Sequence, residues 1–340
     1  MPDIDTQLRA LADHRLSVVP EVSPKEVDEV RVTESEAAPS SRGRWLVAAV
    51  IVAIVGIGGA FFAATRDAVD DDTGLVTEPE PTPAASMYTR DVVDRDDWAS
   101  ALEDLDTPGT FALAQVGTEG AIETAIPERA TTGFLPASTF KLLNALIILE
   151  TGVLPDLDTV VPWDGVEREL PSWNQDHTLR TAIQESAVWV FERLAAEVGP
   201  DAMAEHVAAA EYGNADTGGS DGPFWLDGNL RTTAIDQLAF LERLALGQLP
   251  FDRTNQGMVV ASLPRLDGPD SRISYKTGTA LAGEPSLAWL VGIVDTAAGQ
   301  WVFAYNVDLP VLDGEPVMIS TQQRLDVVID LLVAAGVLDA

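Results

Sequence analysis

The chain has 340 residues, a formal net charge of −33, no Cys and three His. Without Cys there is no disulfide framework, Cys-zinc site, iron–sulfur cluster or thiol nucleophile. The acid excess speaks against a nucleic-acid partner, which needs Lys/Arg patches. An apolar share of 46% excludes whole-chain disorder, and the length allows one large domain plus accessories, or two domains.

Residues 1–44 are polar, with six basic and nine acidic side chains and Pro20, Pro24 and Pro39. They read as a tail, with a short helix expected around Ile4–Ala12. Trp45–Thr65 is a run of 21 residues without a charge. As a helix it would reach about 31 Å, enough to cross a bilayer core. Arg42 and Arg44 precede it and Asp67, Asp70, Asp71 and Asp72 follow it. The positive-inside rule therefore predicts a cytoplasmic N-terminus and an extracytoplasmic C-terminus at the plasma membrane. A 44-residue leader is too long for an ordinary signal peptide, so an uncleaved single-pass anchor is expected over a cleaved signal or a buried core helix. Residues 66–86, acidic and carrying Pro79, Pro81 and Pro83, read as a solvated linker.

From Met87 to Ala340 the pattern is globular. Thr110–Val116 and Ala121–Ile126, around Gly117 and Gly120, predict a hairpin. Ser138–Glu150 is apolar nearly all round and closes at Gly152, which predicts a buried helix. Leu179–Val198, interrupted near Ser186, and Thr232–Leu246 read as helices. Arg272–Thr279, Ala288–Asp295 and Trp301–Asp308 read as strands, the last two joined at Ala297–Gly299, and Gln322–Ala335 is a terminal helix. Strands at both ends with helices between them predict one sheet whose N- and C-terminal strands pair, packed against a helical region.

Four residue groups can carry chemistry. Lys occurs only at 25, 141 and 276, so a Lys inside a motif is informative. In Ser138-Thr139-Phe140-Lys141 the hydroxyl and the amine stand three residues apart on one helix face. Burial disfavours a charged lysine, and a neutral amine accepts a hydroxyl proton. Taken alone, this motif also fits a Ser cap beside a surface Lys. Lys276-Thr277-Gly278-Thr279 lies in a predicted strand, where Lys and Thr suit a substrate carboxylate and Gly278 permits close approach. Ser-x-x-Lys followed by Lys-Thr-Gly is the penicillin-binding and β-lactamase signature. Ser186-Ala187-Val188 and Tyr212-Gly213-Asn214 complete the set, although separately they read as a helix cap and a turn.

With PASTFK at 136–141, SAV at 186–188, YGN at 212–214, FWLDG at 224–228 and KTG at 276–278, the sequence resembles the class D β-lactamases over roughly 107–338. The resemblance implies an α+β, β-lactamase/transpeptidase-like fold: an antiparallel sheet flanked by helices plus a helical subdomain, here preceded by one transmembrane helix. It implies a β-lactam substrate and the following roles. Ser138 is the acylated nucleophile. Lys141, N-carboxylated by CO2, is the general base. Ser186 relays a proton, and Val188 and Trp225 surround the carbamate. The backbone N–H groups of Ser138 and Thr279 form the oxyanion hole. Lys276, Thr277, Gly278 and Arg324 bind the substrate, and no metal or other cofactor is expected. An Asn at 188 would instead resemble penicillin-binding proteins. The sequence departs from the family in its spanning segment and in Thr279, where class D enzymes more often carry a bulkier residue.

Two further readings stay open on sequence. A β-lactam-sensing receptor would acylate without turnover, but the chain has no His-Glu-x-x-His output segment. A D,D-peptidase would act on peptidoglycan stem peptides, against which Val188 and Trp225 stand. A Ser-His-Asp triad could draw only on His177 and His206, and Glu185 reads as a helix acid.

Overall fold

Apolar stretches from both ends of the chain meet in one seven-stranded sheet, ordered β1-β3-β2-β9-β8-β7-β6. In chain order these are β1 (Val92–Asp94), β2 (Gly109–Gln115) and β3 (Ile122–Ala125), then β6 (Arg265–Asp267), β7 (Ser271–Ala280), β8 (Leu287–Thr296) and β9 (Gly299–Asp308). A two-stranded ladder, β4 (Val160–Val161) with β5 (His177–Thr178), lies between them in sequence. The computed structural model describes residues 90–98, 101–102, 107–220 and 222–339. The tail, the expected spanning helix at 45–65 and the whole linker at 66–86 lie outside these residues. Among the described residues no helix is long and apolar enough to cross a membrane.

The expected hairpin forms, with Phe111 opposite Ala125, and β2 pairs along its whole length with β9, Gly109 opposite Val307. The N- and C-terminal strands therefore close the sheet as anticipated. One feature corrects the expectation of a purely antiparallel sheet: β1 pairs parallel to β3. β3 runs antiparallel to β2, and β1, on the outer side of β3, runs the same way as β3.

The near-continuous apolar run of β8 follows from burial on both faces. Trp289, Val291 and Ile293 join the larger core, which contains the helix Lys141–Glu150. Ala288, Leu290 and Val294 join a second core with the terminal helix Thr321–Ala334. The helix Lys141–Glu150 is buried from Lys141 through Leu149, so its lysine is held in a dry environment by the packing of its neighbours. The interrupted helix appears as Leu179–Gln184 and Val188–Val198, with Ser186 at the corner. Helices Pro200–Ala209 and Arg253–Ser262 are not predicted. The second has a weak apolar pattern and Gly257 in its middle, and Asp252 caps it by accepting from the backbone N–H groups of Thr254 and Asn255.

Candidate active site

Ser138 sits in a 3-10 turn, Ala137–Phe140, that runs directly into the helix Lys141–Glu150. The three-residue spacing brings Lys141 Nζ to 2.6 Å from Ser138 Oγ. Lys141 is fully buried, and the Phe191 ring centroid lies 5.6 Å from its nitrogen. Burial pushes the amine down to about 7, while the Glu192 carboxylate pulls it the other way. A substantial fraction is thus neutral near pH 7. Ala137, just before the nucleophile, has φ 48°, a left-handed conformation costly for a residue with a Cβ.

Ser186 forms the opposite wall. It too has a left-handed backbone, φ 55°, at the corner between its two helices. Lys276 Nζ donates to Ser186 Oγ at 3.0 Å and to the Thr277 carbonyl at 2.9 Å. Burial, then the positive charges of Lys141 and Arg324, hold the Lys276 amine well below its ordinary value. Two indoles pin the corner: Trp173 Nε1 donates to the Glu185 carbonyl and Trp189 Nε1 to the Trp173 carbonyl. Arg168 lies over the Trp189 ring.

Strand β7 supplies the edge between these walls. β6 covers only Arg272–Ser274, and the Tyr275 N–H reaches out to the Pro264 carbonyl, away from β8. By the period of two, the N–H groups of Thr277 and Thr279 also face the open edge. The close approach expected at Gly278 is made by the chain itself. A Cβ there would lie 3.0 Å from the Pro136 carbonyl oxygen and 3.1 Å from Thr139 Cγ2. Glycine thus lets β7 sit against the nucleophile turn.

The floor is aromatic. Phe140 stacks on Trp225 with centroids 5.4 Å apart and meets Phe224 and Tyr212 edge-on. Trp225 Nε1 is buried without an acceptor among the described residues. Gln237 Nε2 donates to both Thr139 Oγ1 and Tyr212 Oη, and Thr139 Oγ1 donates to the Pro136 carbonyl. Tyr212-Gly213-Asn214 is therefore a brace under the turn. Gly213 has φ 54°, and a Cβ there would fall on the Arg231 carbonyl, while Asn214 bonds to the backbone of Asn229 and Arg231.

Arg324 lies behind β7, 4% exposed. Its five N–H donors are all engaged: Nε and Nη2 with the Ile319 carbonyl, Nη1 with the Gly278 and Trp289 carbonyls, and Nη2 also with Thr279 Oγ1. It is neither a surface residue nor one with a hydrogen to spare. Val188, half-buried, opens the helix that carries Phe191. The structure thus brings Ser138, Lys141, Ser186 and Lys276 together and sets Thr277, Gly278 and Thr279 along the adjoining edge. Sequence reasoning missed Gln237 and Trp173 and gave Trp189 no role. Each has an ordinary core or loop setting in the sequence, and only the fold shows what its donor reaches. His177 Nδ1 pairs with Thr181 Oγ1, His206 packs on Phe251, and Glu185 ends a helix, so none of the three has a hydrogen bond to Ser138. Among the described residues no group of His, Asp and Glu is placed to hold a metal.

The penicillin-binding protein transpeptidase domain family matches residues 105–317. β-Lactamase OXA-5 of Pseudomonas aeruginosa is 39% identical over 62% of this chain and 80% of its own length. The probable β-lactamase YbxI of Bacillus subtilis (strain 168) is 34% identical over 78% of this chain and 91% of its own. Among solved structures, the class D β-lactamase YbXI from Nostoc superposes with a TM-score of 0.64 at 31% identity, covering 70% of this chain and 98% of that one.

Proposed function

This chain belongs to the class D β-lactamase family, within the penicillin-binding transpeptidase group, and we propose that it hydrolyses β-lactams by forming and then releasing an acyl ester on Ser138. One observation carries the mechanism. A fully buried Lys141, shifted toward its neutral form, lies 2.6 Å from Ser138 Oγ, and the buried N–H of Trp225, whose ring stacks on Phe140, has no acceptor among the described residues.

Ser138 Oγ attacks the lactam carbonyl as the Lys141 side chain takes its proton. The developing oxyanion is received by the N–H groups of Ser138 and Thr279, the latter on the open edge of β7. Lys276 and Ser186, joined at 3.0 Å, deliver a proton to the departing lactam nitrogen. Lys276, Thr277 and Thr279 face the substrate carboxylate, with Arg324 adding its charge from behind. The residues also fit a carboxylated lysine. A neutral amine is the form that reacts with CO2, and an anion in such a pocket needs donors, which Trp225 Nε1 and Ser138 offer. When formed, that carbamate supplies a carboxylate base for deacylation, and Val188 and Phe140 keep its surroundings apolar. No metal enters this scheme.

We also read residues 45–65 as a single membrane-spanning segment that holds the catalytic domain outside the plasma membrane. Support comes from 21 residues without a charge, flanked by Arg on one side and Asp on the other.

The direct test is turnover by the full chain of a chromogenic cephalosporin and of benzylpenicillin, beside a D-Ala-D-Ala peptide. Lactam hydrolysis lost in Ser138→Ala, with the peptide untouched, is the expected result. Peptide cleavage without lactam turnover would replace this reading with a D,D-peptidase.

A further inference from the structure

Asn144 is a polar side chain where the packing asks for a leucine. It lies one turn beyond Lys141 on the helix Lys141–Glu150, fully buried in a run with Leu142, Leu143, Ala145 and Leu146. Neither its Oδ1 nor its Nδ2 has a hydrogen-bond partner among the described residues. A whole primary amide, with two N–H donors and a carbonyl acceptor, is thus withdrawn from water unpaired, which is costly. Asparagine is also a poorer helix former than leucine. Neither packing nor propensity accounts for the residue.

Its place on the helix says what it faces. Phe140 and Lys141 already have helical backbone angles, so the helical period runs through them. Cβ bonds tilt toward the helix N-terminus, and residues three and four apart share a face. The Asn144 amide therefore lies over Lys141 and Phe140. On Phe140 stacks Trp225, whose buried Nε1 is likewise without an acceptor among the described residues. The bare amine does not use the amide: Lys141 Nζ bonds to Ser138 Oγ, and Phe191 presents only a ring face to it.

We infer that Asn144 is a positioning residue for a carbamate on Lys141, its Oδ1 accepting from the carbamate N–H and its Nδ2 donating to a carbamate oxygen. The inference rests on the carboxylated-lysine reading above and adds a residue to it. When CO2 adds, the Nζ lone pair forms a bond to its carbon. One amine proton leaves to the buffer and the other stays on nitrogen. The group then carries one N–H donor and two anionic oxygens. An asparagine amide matches that N–H and one oxygen, and Trp225 Nε1 and the Ser138 hydroxyl remain for the other. The same amide that is costly beside a bare amine becomes paired once the carbamate forms, so Asn144 shifts the carboxylation equilibrium toward the modified lysine.

The test reads the carbamate itself. The full chain is titrated with 13C-bicarbonate near pH 7, and the carbamate carbon is followed by 13C NMR. Lys141→Ala should lack the signal, which assigns it. Asn144→Leu removes the amide and keeps an apolar side chain in the helix. It should need at least about tenfold more bicarbonate for half the signal, the scale of one hydrogen bond to a charged group. Its Tm in bicarbonate-free buffer should stay level or rise, which a merely structural asparagine would not allow. Excess bicarbonate should restore its kcat for benzylpenicillin. If Asn144→Leu does not fold, Asn144→Ala, which adds no volume, decides in its place. A half-saturating bicarbonate equal to that of the wild type would overturn the inference. A wild type that hydrolyses benzylpenicillin without showing the signal overturns the inference and the carboxylated lysine together, while hydrolysis stands. A chain whose signal depends on Asn144 but which turns over no lactam supports the inference and contradicts the hydrolase reading alone.

Discussion

A lysine on an open helix face stays protonated at neutral pH, but Lys141 has no open face. It begins a helix buried on all sides, and burial brings its amine down to about 7. Above that value the neutral amine dominates; below it the ammonium does. If CO2 adds to the neutral form, bicarbonate should stimulate turnover, and the stimulation should grow as pH falls from 8 to 6. Lys141→Ala should abolish the bicarbonate response, whereas a response unchanged in that variant would contradict the assignment. The same shift bears on folding. An unfolded lysine binds its proton up to about 10.5, so between pH 7 and 10.5 the unfolded state holds more protons and stability rises with pH. Lys141→Met should therefore raise Tm more at pH 7 than at pH 10, checked by thermal melting in bicarbonate-free buffer. At this scale much was legible in the sequence. With three lysines in the chain, two of them in motifs, Ser138, Lys141 and Lys276 stood out. The donor count of Arg324 did not, because spacing locates a residue on a helix but does not say which carbonyls its guanidinium meets.

Gly278 and Gly213 separate two kinds of support between elements. At Gly278 an added methyl group would meet the Pro136 carbonyl and Thr139. Strand β7 and the nucleophile turn must then part by a few tenths of an ångström. Gly278→Ala should lower kcat/KM by about tenfold or more, since small displacements in an active site are costly, with a modest change in Tm. At Gly213 the left-handed φ and the Arg231 carbonyl both oppose a side chain. Gly213→Ala should cost about 2 kcal/mol or more of stability. Thermal melting beside steady-state kinetics checks both, and a Gly278→Ala enzyme of full activity would remove that glycine from the account. The long elements were readable because their patterns are strong: the hairpin, β7 to β9, the buried helix and the terminal helix all appear. β1 and β6 are three residues each, too short to show a period, and the parallel placement of β1 depends on where the chain enters the sheet. The pairing of indoles around Ser186 joins a loop to a helix corner, and no local pattern announces it.

Over the whole molecule, a net charge of −33 means that compact folding brings like charges together. Salt screens such repulsion, with a Debye length of about 10 Å at 0.1 M and about 3 Å at 1 M. The full chain in a nonionic detergent should therefore melt at a higher temperature in molar NaCl than at low salt, and a curve flat in salt would contradict that reading. Within this negative field the site holds two buried basic groups, Lys276 and Arg324, and the Arg324 charge adds to burial and to Lys141 in lowering the Lys276 amine. A spanning segment at 45–65 predicts that the expressed chain stays with the membrane fraction after washes in high salt and alkali. Release by those washes would remove the anchor. Composition and motif order were enough to anticipate an α+β domain whose two ends share a sheet. The side of the sheet each helix covers depends on packing across distant segments, which a linear pattern does not contain.

The central claim is that Ser138 is acylated and that Lys141 then frees it. Intact mass of the full chain, followed in time after mixing with benzylpenicillin, tests it directly. The wild type should gain the mass of one penicillin and lose it again as the hydrolysed product accumulates, Ser138→Ala should never gain it, and Lys141→Ala should not return to the starting mass. A wild-type adduct that persists without product, or product that accumulates in Ser138→Ala, would contradict the account.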